Sequence, residues 1–202
     1  MDLLKTEFCI FDVETTGLSP VDGDRIVEIA AIKVSSLKSV ARFHSLINPE
    51  REIPFGASEI NGITNEMIAD APKSREVLPA FLEFLGDAVI VGHNVKFDLS
   101  FLCYELSLLG RWLREKTTVI DTLKMARNLL PQRGRYPLWS VADGLGIKWD
   151  QEHRAMSDAE LTVEVFLRLV KTMGKKDMVD IGILPDVMKE FRSFNVSQKE
   201  LF

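Results

Sequence analysis

From Phe8 to Val13 the chain is apolar at every position but one, and two carboxylates, Asp12 and Glu14, close the run one residue apart. A short apolar run of this kind, rich in aromatic and β-branched residues, reads as a buried strand. Strand side chains alternate between faces, so both acids belong to the same face of a sheet. Like charges that close are costly unless a cation sits between them. The run therefore requires a sheet with an anionic pocket at one end, and the pocket asks for a metal.

At 202 residues, with 46% hydrophobic and 27% charged side chains, the chain is one globular domain with a short appendage and can bury a full core. No apolar stretch approaches the roughly 18–20 residues that span a bilayer. The N-terminus, Met1-Asp2-Leu3-Leu4-Lys5, lacks the basic and apolar regions of a secretion signal. Cys9 and Cys103 both lie inside apolar runs, so a buried, reduced pair in a cytoplasmic protein is expected, with no membrane partner. The formal charge of −5 argues against a protein that grips nucleic acid mainly through a basic surface. An acidic metal cluster accounts for much of that excess.

Residues 6–13, 24–34 and 39–47 read as three strands of a meander that ends at Asn48-Pro49. Residues 50–72, punctuated by Pro54, Gly56, Gly62 and Pro72, suit loops and short helices. Apolar positions 77, 78, 81, 82 and 85 mark an amphipathic helix over 74–85. A short strand follows at 88–92, with Asn94 placed to cap a helix reaching about residue 109. A last strand at 119–122 runs into a helix over 122–130, and further helices are expected at 138–144 and 157–173. Strands first, then alternating helices and strands, mean an α/β sheet of mixed direction. Gly174-Lys175-Lys176-Asp177 reads as a boundary, dividing a domain over 1–173 from an extension over 174–202 with one helix at 185–193.

Two further acids enter helices. Asp98, in His93-Asn94-Val95-Lys96-Phe97-Asp98, falls in a first helical turn, and so does Asp158, five residues after His153. Taken singly, each is explained by the favourable field at a helix N-terminus. His93 and Asn94 order the Asp98 turn, Asp121 caps the helix that follows it or else supports the metal ligands from behind, and Trp112, Trp139 and Trp149 are packing residues. Taken together, Asp12, Glu14, Asp98 and Asp158 with His153 resemble the DEDD 3′–5′ exonuclease family over about residues 6–172. The stretches Ile26-Val27-Glu28-Ile29-Ala30 and Ile60-Asn61-Gly62-Ile63-Thr64 fit the same pattern. His153 five positions before the last Asp resembles the DEDDh (DnaQ-like) branch, since the Tyr-bearing branch needs Tyr where Arg154 stands. Within that branch the chain is most similar to epsilon-type proofreading subunits of bacterial DNA polymerase III and their stand-alone relatives.

The resemblance implies an RNase H-like α/β fold with a mixed, five-stranded sheet. It also implies a hydrolase that releases nucleoside 5′-monophosphates from single-stranded or frayed DNA 3′ ends in proofreading or repair. Phosphodiester hydrolysis with two divalent cations, Mg²⁺ or Mn²⁺ on oxygen ligands, suits such a set of acids. In the implied scheme Asp12 bridges both ions, Glu14 and Asp158 complete the site of the attacking water, and Asp98 supports the other ion. His153 is the general base, its reference pKa of roughly 6.5 suiting proton abstraction near neutrality.

Substrate contacts are expected from the backbone amides of Thr15, Thr16 and Gly17, with glycine allowing close approach. Leu18 resembles the family's apolar wedge against terminal bases, with Ile63 and Met67 packing opposite; the alternative is that all three belong to the core. Gln198-Lys199-Glu200-Leu201-Phe202 resembles the peptide that bacterial replication proteins insert into the sliding clamp, with Gln198, Leu201 and Phe202 as contacts. An apolar C-terminus docked on its own domain is the alternative. A replicative polymerase is the other implied partner. Competing readings are an RNA-trimming exonuclease of the same family and a non-catalytic module that binds nucleic acid or a partner.

Overall fold

The structure is a computed structural model that describes residues 1–130, 134–149 and 154–191. Five strands form one sheet: β1 (Phe8–Thr15), β2 (Ile26–Ser35), β3 (Lys38–Leu46), β4 (Val89–Gly92) and β5 (Val119–Asp121), in the order β3-β2-β1-β4-β5. The β1/β2 and β2/β3 pairs are antiparallel, whereas β1/β4 and β4/β5 are parallel. The mixed direction is the one that the order of strands and helices predicts, and the five strands are those that the family resemblance implies.

Helices cover both faces. α1 (Phe55–Asn61), α2 (Asn65–Ile68) and α3 (Ser74–Leu85) precede β4, α4 (Lys96–Leu108) follows it, and α5 (Thr122–Leu129), α6 (Leu138–Gly144) and α7 (Ala155–Thr172) follow β5. The period-two alternation of β1 sorts the two cores. Cys9, Phe11 and Val13 pack with Leu78 and Phe81 of α3 and with Leu99 and Leu102 of α4. Phe8 and Ile10 face the other way, against Val165, Phe166 and Leu169 of α7. Asp12 and Glu14 continue the Phe8–Ile10 face, so the strand's own alternation aims both carboxylates toward α7.

The first strand ends two residues later than the apolar run suggested. Asp12 pairs with Ala30 and Glu14 with Glu28 inside the β1/β2 ladder, before a bulge between Glu14 and Thr15. The ladder thus holds the backbone of both acids rigid, and the bulge releases the chain just beyond them.

Asn94 does not cap α4, contrary to expectation. Its backbone is left-handed (φ 58°), Val95 occupies the cap position, and α4 has no side-chain cap. The turn is tight because Gly92 lies against Val95; a Cβ on Gly92 would come within 2.6 Å of the valine side chain. Asp121 does cap α5, accepting from Leu123 N at 2.9 Å, and it also accepts from Asn94 N at 3.0 Å.

Residues 174–191 lie along the outer edge of the sheet. α8 (Met178–Ile181) buries Met178 and Ile181 with the α7 core, and α9 (Val187–Glu190) buries Val187 and Met188 with the α3/α4 core. Between them Ile183 bridges Ile120, and Asp121 N donates to Gly182 O, so the edge strand β5 is covered. The helix expected over 185–193 is the single turn α9. Residues 192–202, with Gln198, Leu201 and Phe202, lie outside the described residues.

Candidate active site

Sheet and helix ends converge at the C-terminal end of β1. Ligand oxygens of Asp12, Glu14 and Asp158 all lie within 4.8 Å of one another. Two of these come from one strand face, and Asp158 comes from the first turn of α7, which packs on that face. Asp98 reaches the cluster from the opposite layer. β1 pairs with β4 only over Phe8–Ile10, and beyond that the Asp98 carboxylate replaces the missing strand by accepting from Val13 N at 3.2 Å. The Asp98 side chain is buried, and it stands beside the group of three rather than within it. His153 lies outside the described residues.

Burial and crowding set the protonation of this cluster. Asp12 is held well above the ordinary carboxylate range by burial and then by Asp98, Asp158, Glu14 and Glu28. Glu14 is pushed up to about 8 by burial, Asp158 and Glu28, with Arg154 opposing. Burial also raises Asp98, against the pull of the Val13 amide. Carboxyls that resist ionisation together, with oxygen donors converging, are the donor set of a hard divalent cation. No other group of three such side chains occurs among the described residues.

This arrangement has a consequence for stability. An unfolded Glu ionises near 4.5 but folded Glu14 holds its proton to about 8, so in that interval the unfolded chain binds fewer protons. The metal-free protein should therefore lose stability as pH rises from about 4.5 to about 8. Glu28 is shifted the other way, and its contribution is lost only toward acid pH. We expect a melting temperature lower at pH 8 than at pH 5 by roughly 5 °C or more without metal. Saturating divalent cation should remove most of that difference. Thermal melts in a chelator and in Mg²⁺ check it; a flat metal-free profile would contradict it.

The turn after Glu14 is closed on itself. Thr16 N donates to Arg25 O at 2.9 Å, Thr16 Oγ1 donates to Asp24 Oδ1 at 3.2 Å, and Thr15 Oγ1 donates to Gly17 O at 2.6 Å. The Thr16 amide is thus engaged within the fold and is not offered to a ligand. Gly17 has a different reason from the one expected: a Cβ there would overlap the Asp24 carboxyl. Leu18 is 85% exposed, as a wedge requires, and Met67 is 42% exposed. Ile63 is fully buried with Val27, Ile53 and Ile68, which corrects its assignment as a substrate contact. Phe55 and Ile60 of α1 are instead the exposed apolar residues of this region, and Asn61 ties α1 to Thr15 O at 3.4 Å.

The His93 side chain is tied not to the Asp98 turn but to the start of α5 and the stretch before α6, with Nδ1 2.9 Å from Thr122 Oγ1 and Nε2 2.8 Å from Tyr136 O. Trp149 packs on the core beside Trp139, ring centroids 6.4 Å apart, and donates to Asp143, whereas Trp139 and Trp112 are exposed, contrary to expectation.

Glu28 and Arg154 are the residues whose role the sequence alone did not disclose. Glu28 lies opposite Glu14 and its side chain is buried. Its carboxylate accepts from Arg154 Nε (3.1 Å) and Nη2 (2.6 Å), His44 Nε2 (2.8 Å) and Ala155 N (3.0 Å). Burial would raise its pKa, but the bonds from Arg154, His44 and Ala155 lower it on balance. The available signal was a lone charge inside the apolar run Ile26–Ala31.

Comparison with known proteins agrees with the site. The exonuclease family model RNase_T matches residues 9–166. The chain is 43% identical over 183 residues to the DNA polymerase III subunit epsilon of Rickettsia prowazekii, covering 88% of this chain and 79% of that protein. It is 45% identical over 169 residues to the PolC-type DNA polymerase III of Thermotoga maritima, covering 83% of this chain but only 12% of that much longer protein. Exonuclease X, solved in complex with 5′ overhanging duplex DNA, superposes with a TM-score of 0.68 at 26% identity, covering 90% of this chain and 99% of that one. E. coli exonuclease I, 22% identical, shares the fold with a TM-score of 0.72. With a family match that spans most of its length, a near full-length relative at 43% identity, and its acids gathered at the end of β1, the chain belongs to the exonuclease family.

Proposed function

We propose that the protein is a metal-dependent 3′–5′ exonuclease that releases nucleoside 5′-monophosphates from single-stranded or frayed DNA 3′ ends, in proofreading or repair. The observation that carries this reading is the convergence of Asp12, Glu14 and Asp158 in a chain of the exonuclease family. These three, with Asp98 alongside, would hold two divalent cations, Mg²⁺ or Mn²⁺. Bound there, the cations supply Lewis acidity to the attacking water, the phosphate and the leaving oxygen.

The protein's part is to orient and to move a proton. Leu18 wedges against the terminal base, with Met67 beside it, and such contacts tolerate any base. His153 takes the proton of the attacking water. DNA is favoured because exonuclease X was solved with DNA and because the epsilon and PolC-type relatives are DNA polymerase III components.

In this reading 1–173 is the catalytic unit, and 174–202 ends in a peptide whose Gln198, Leu201 and Phe202 engage a sliding clamp, with a replicative polymerase as a further partner. A tether of this kind offsets the weak affinity for DNA expected from a net charge of −5. Two buried free thiols support a cytoplasmic setting. No described helix is long and apolar enough to cross a membrane.

The test is digestion of 3′-labelled and 5′-labelled DNA and RNA strands with Mg²⁺, Mn²⁺ or chelator, with the products sized. Metal-dependent release of mononucleotides from DNA 3′ ends is expected. Preferential trimming of RNA, or no digestion at high enzyme concentration, would overturn the proposal.

A further inference from the structure

We infer that Glu28 and Arg154 are a positioning pair that pins the first turn of α7, on which Asp158 rides. The inference rests on the exonuclease reading for its functional consequence, but its structural part stands alone. α7 starts at Ala155, and its own cap residue is Arg154, whose side chain has no acceptor to offer. The capping acceptor comes instead from 127 residues away, where Glu28 Oε2 takes the Ala155 N–H at 3.0 Å. The same carboxylate grips the Arg154 guanidinium at two nitrogens, and His44 Nε2 at 2.8 Å fills its remaining capacity.

Glu28 is itself fixed in the β1/β2 ladder directly opposite Glu14. The first turn of α7 is thereby registered against the strand that carries the other two acids. Asp158 lies one turn into α7, with its N–H donating to Arg154 O at 3.0 Å. While bound to Glu28, the Arg154 guanidinium also acts on Glu14, opposing the rise of its pKa. Glu28 and Arg154 touch neither substrate nor reacting atoms; they act through Asp158.

Arg154→Ala, Arg154→Lys and Glu28→Gln test the pair in the full chain. In Arg154→Ala we expect kcat to fall roughly 10- to 100-fold with KM within about threefold, as for other groups that orient metal ligands. Guanidinium at low, non-denaturing concentration should restore part of that loss, and Arg154→Lys should retain more activity than the alanine variant. Amide hydrogen exchange over 154–160 in the metal-free protein should quicken roughly tenfold or more in Arg154→Ala and Glu28→Gln. Guanidinium should slow it again in Arg154→Ala. Exchange and turnover within about twofold of wild type would overturn the inference, and so would a loss that neither guanidinium nor lysine relieves. If the wild-type protein digests no nucleic acid, the exonuclease reading fails, and the exchange measurement still decides whether the anchor exists.

Discussion

Asp12→Asn is expected to lower turnover roughly 10³-fold or more and, at the same time, to raise the melting temperature of the metal-free protein at pH 8. The first effect follows because Lewis-acid stabilisation contributes several kcal/mol and each ~1.4 kcal/mol is tenfold in rate. Asp12 lies in the group of three acids, and Asp98, Asp158, Glu14 and Glu28 all act on its charge. The second effect has the opposite sign. A carboxyl whose folded pKa is raised is bound to its proton when folded but gives it up when unfolded, which favours unfolding above the ordinary carboxylate range. An amide of the same shape does not ionise, and that penalty disappears. Parallel measurements of turnover and of melting in chelator at pH 8 check both halves. A variant within tenfold of wild-type activity, or one no more stable than wild type, would remove Asp12 from the centre of the site.

The second large effect is expected at His153. Replacing it by Ala should lower kcat roughly 10²- to 10⁴-fold while leaving metal and DNA binding largely intact, the signature of a lost general base. With saturating metal, which holds the raised carboxyls of Asp12, Glu14 and Asp98 in their ionised form, the acid limb of the pH–rate profile should vanish with it. Near wild-type turnover would dispose of the assignment. A loss of metal affinity of comparable size would instead make His153 a ligand.

Much of the architecture was legible in the chain. The alternation in β1 named the correct face for Asp12 and Glu14, because a strand's period is local and survives whatever packs on it. The helix over 74–85 falls where its apolar spacing put it, and the helix expected at 138–144 is present. Boundaries were less legible. β1 continues to Thr15 because Glu14 finds a ladder partner in Glu28, a contact between residues from two different strands. Asn94 looked like a helix cap, yet its left-handed backbone hands its amide to Asp121. Ile63 and Leu18 carry the same kind of side chain, and only the packing of α1 and α2 against β2 buries one and exposes the other.

The linear sequence by itself determined the chemistry of the site, since it fixes which donor atoms exist and local periodicity fixes the face on which they stand. Tertiary structure alone decided how those donors are held. Asp98 completes a strand edge, and a lone glutamate in β2 caps a helix that begins 127 residues later. The reason is that hydrogen-bond partners and desolvation depend on distances between chain segments, which no local pattern encodes.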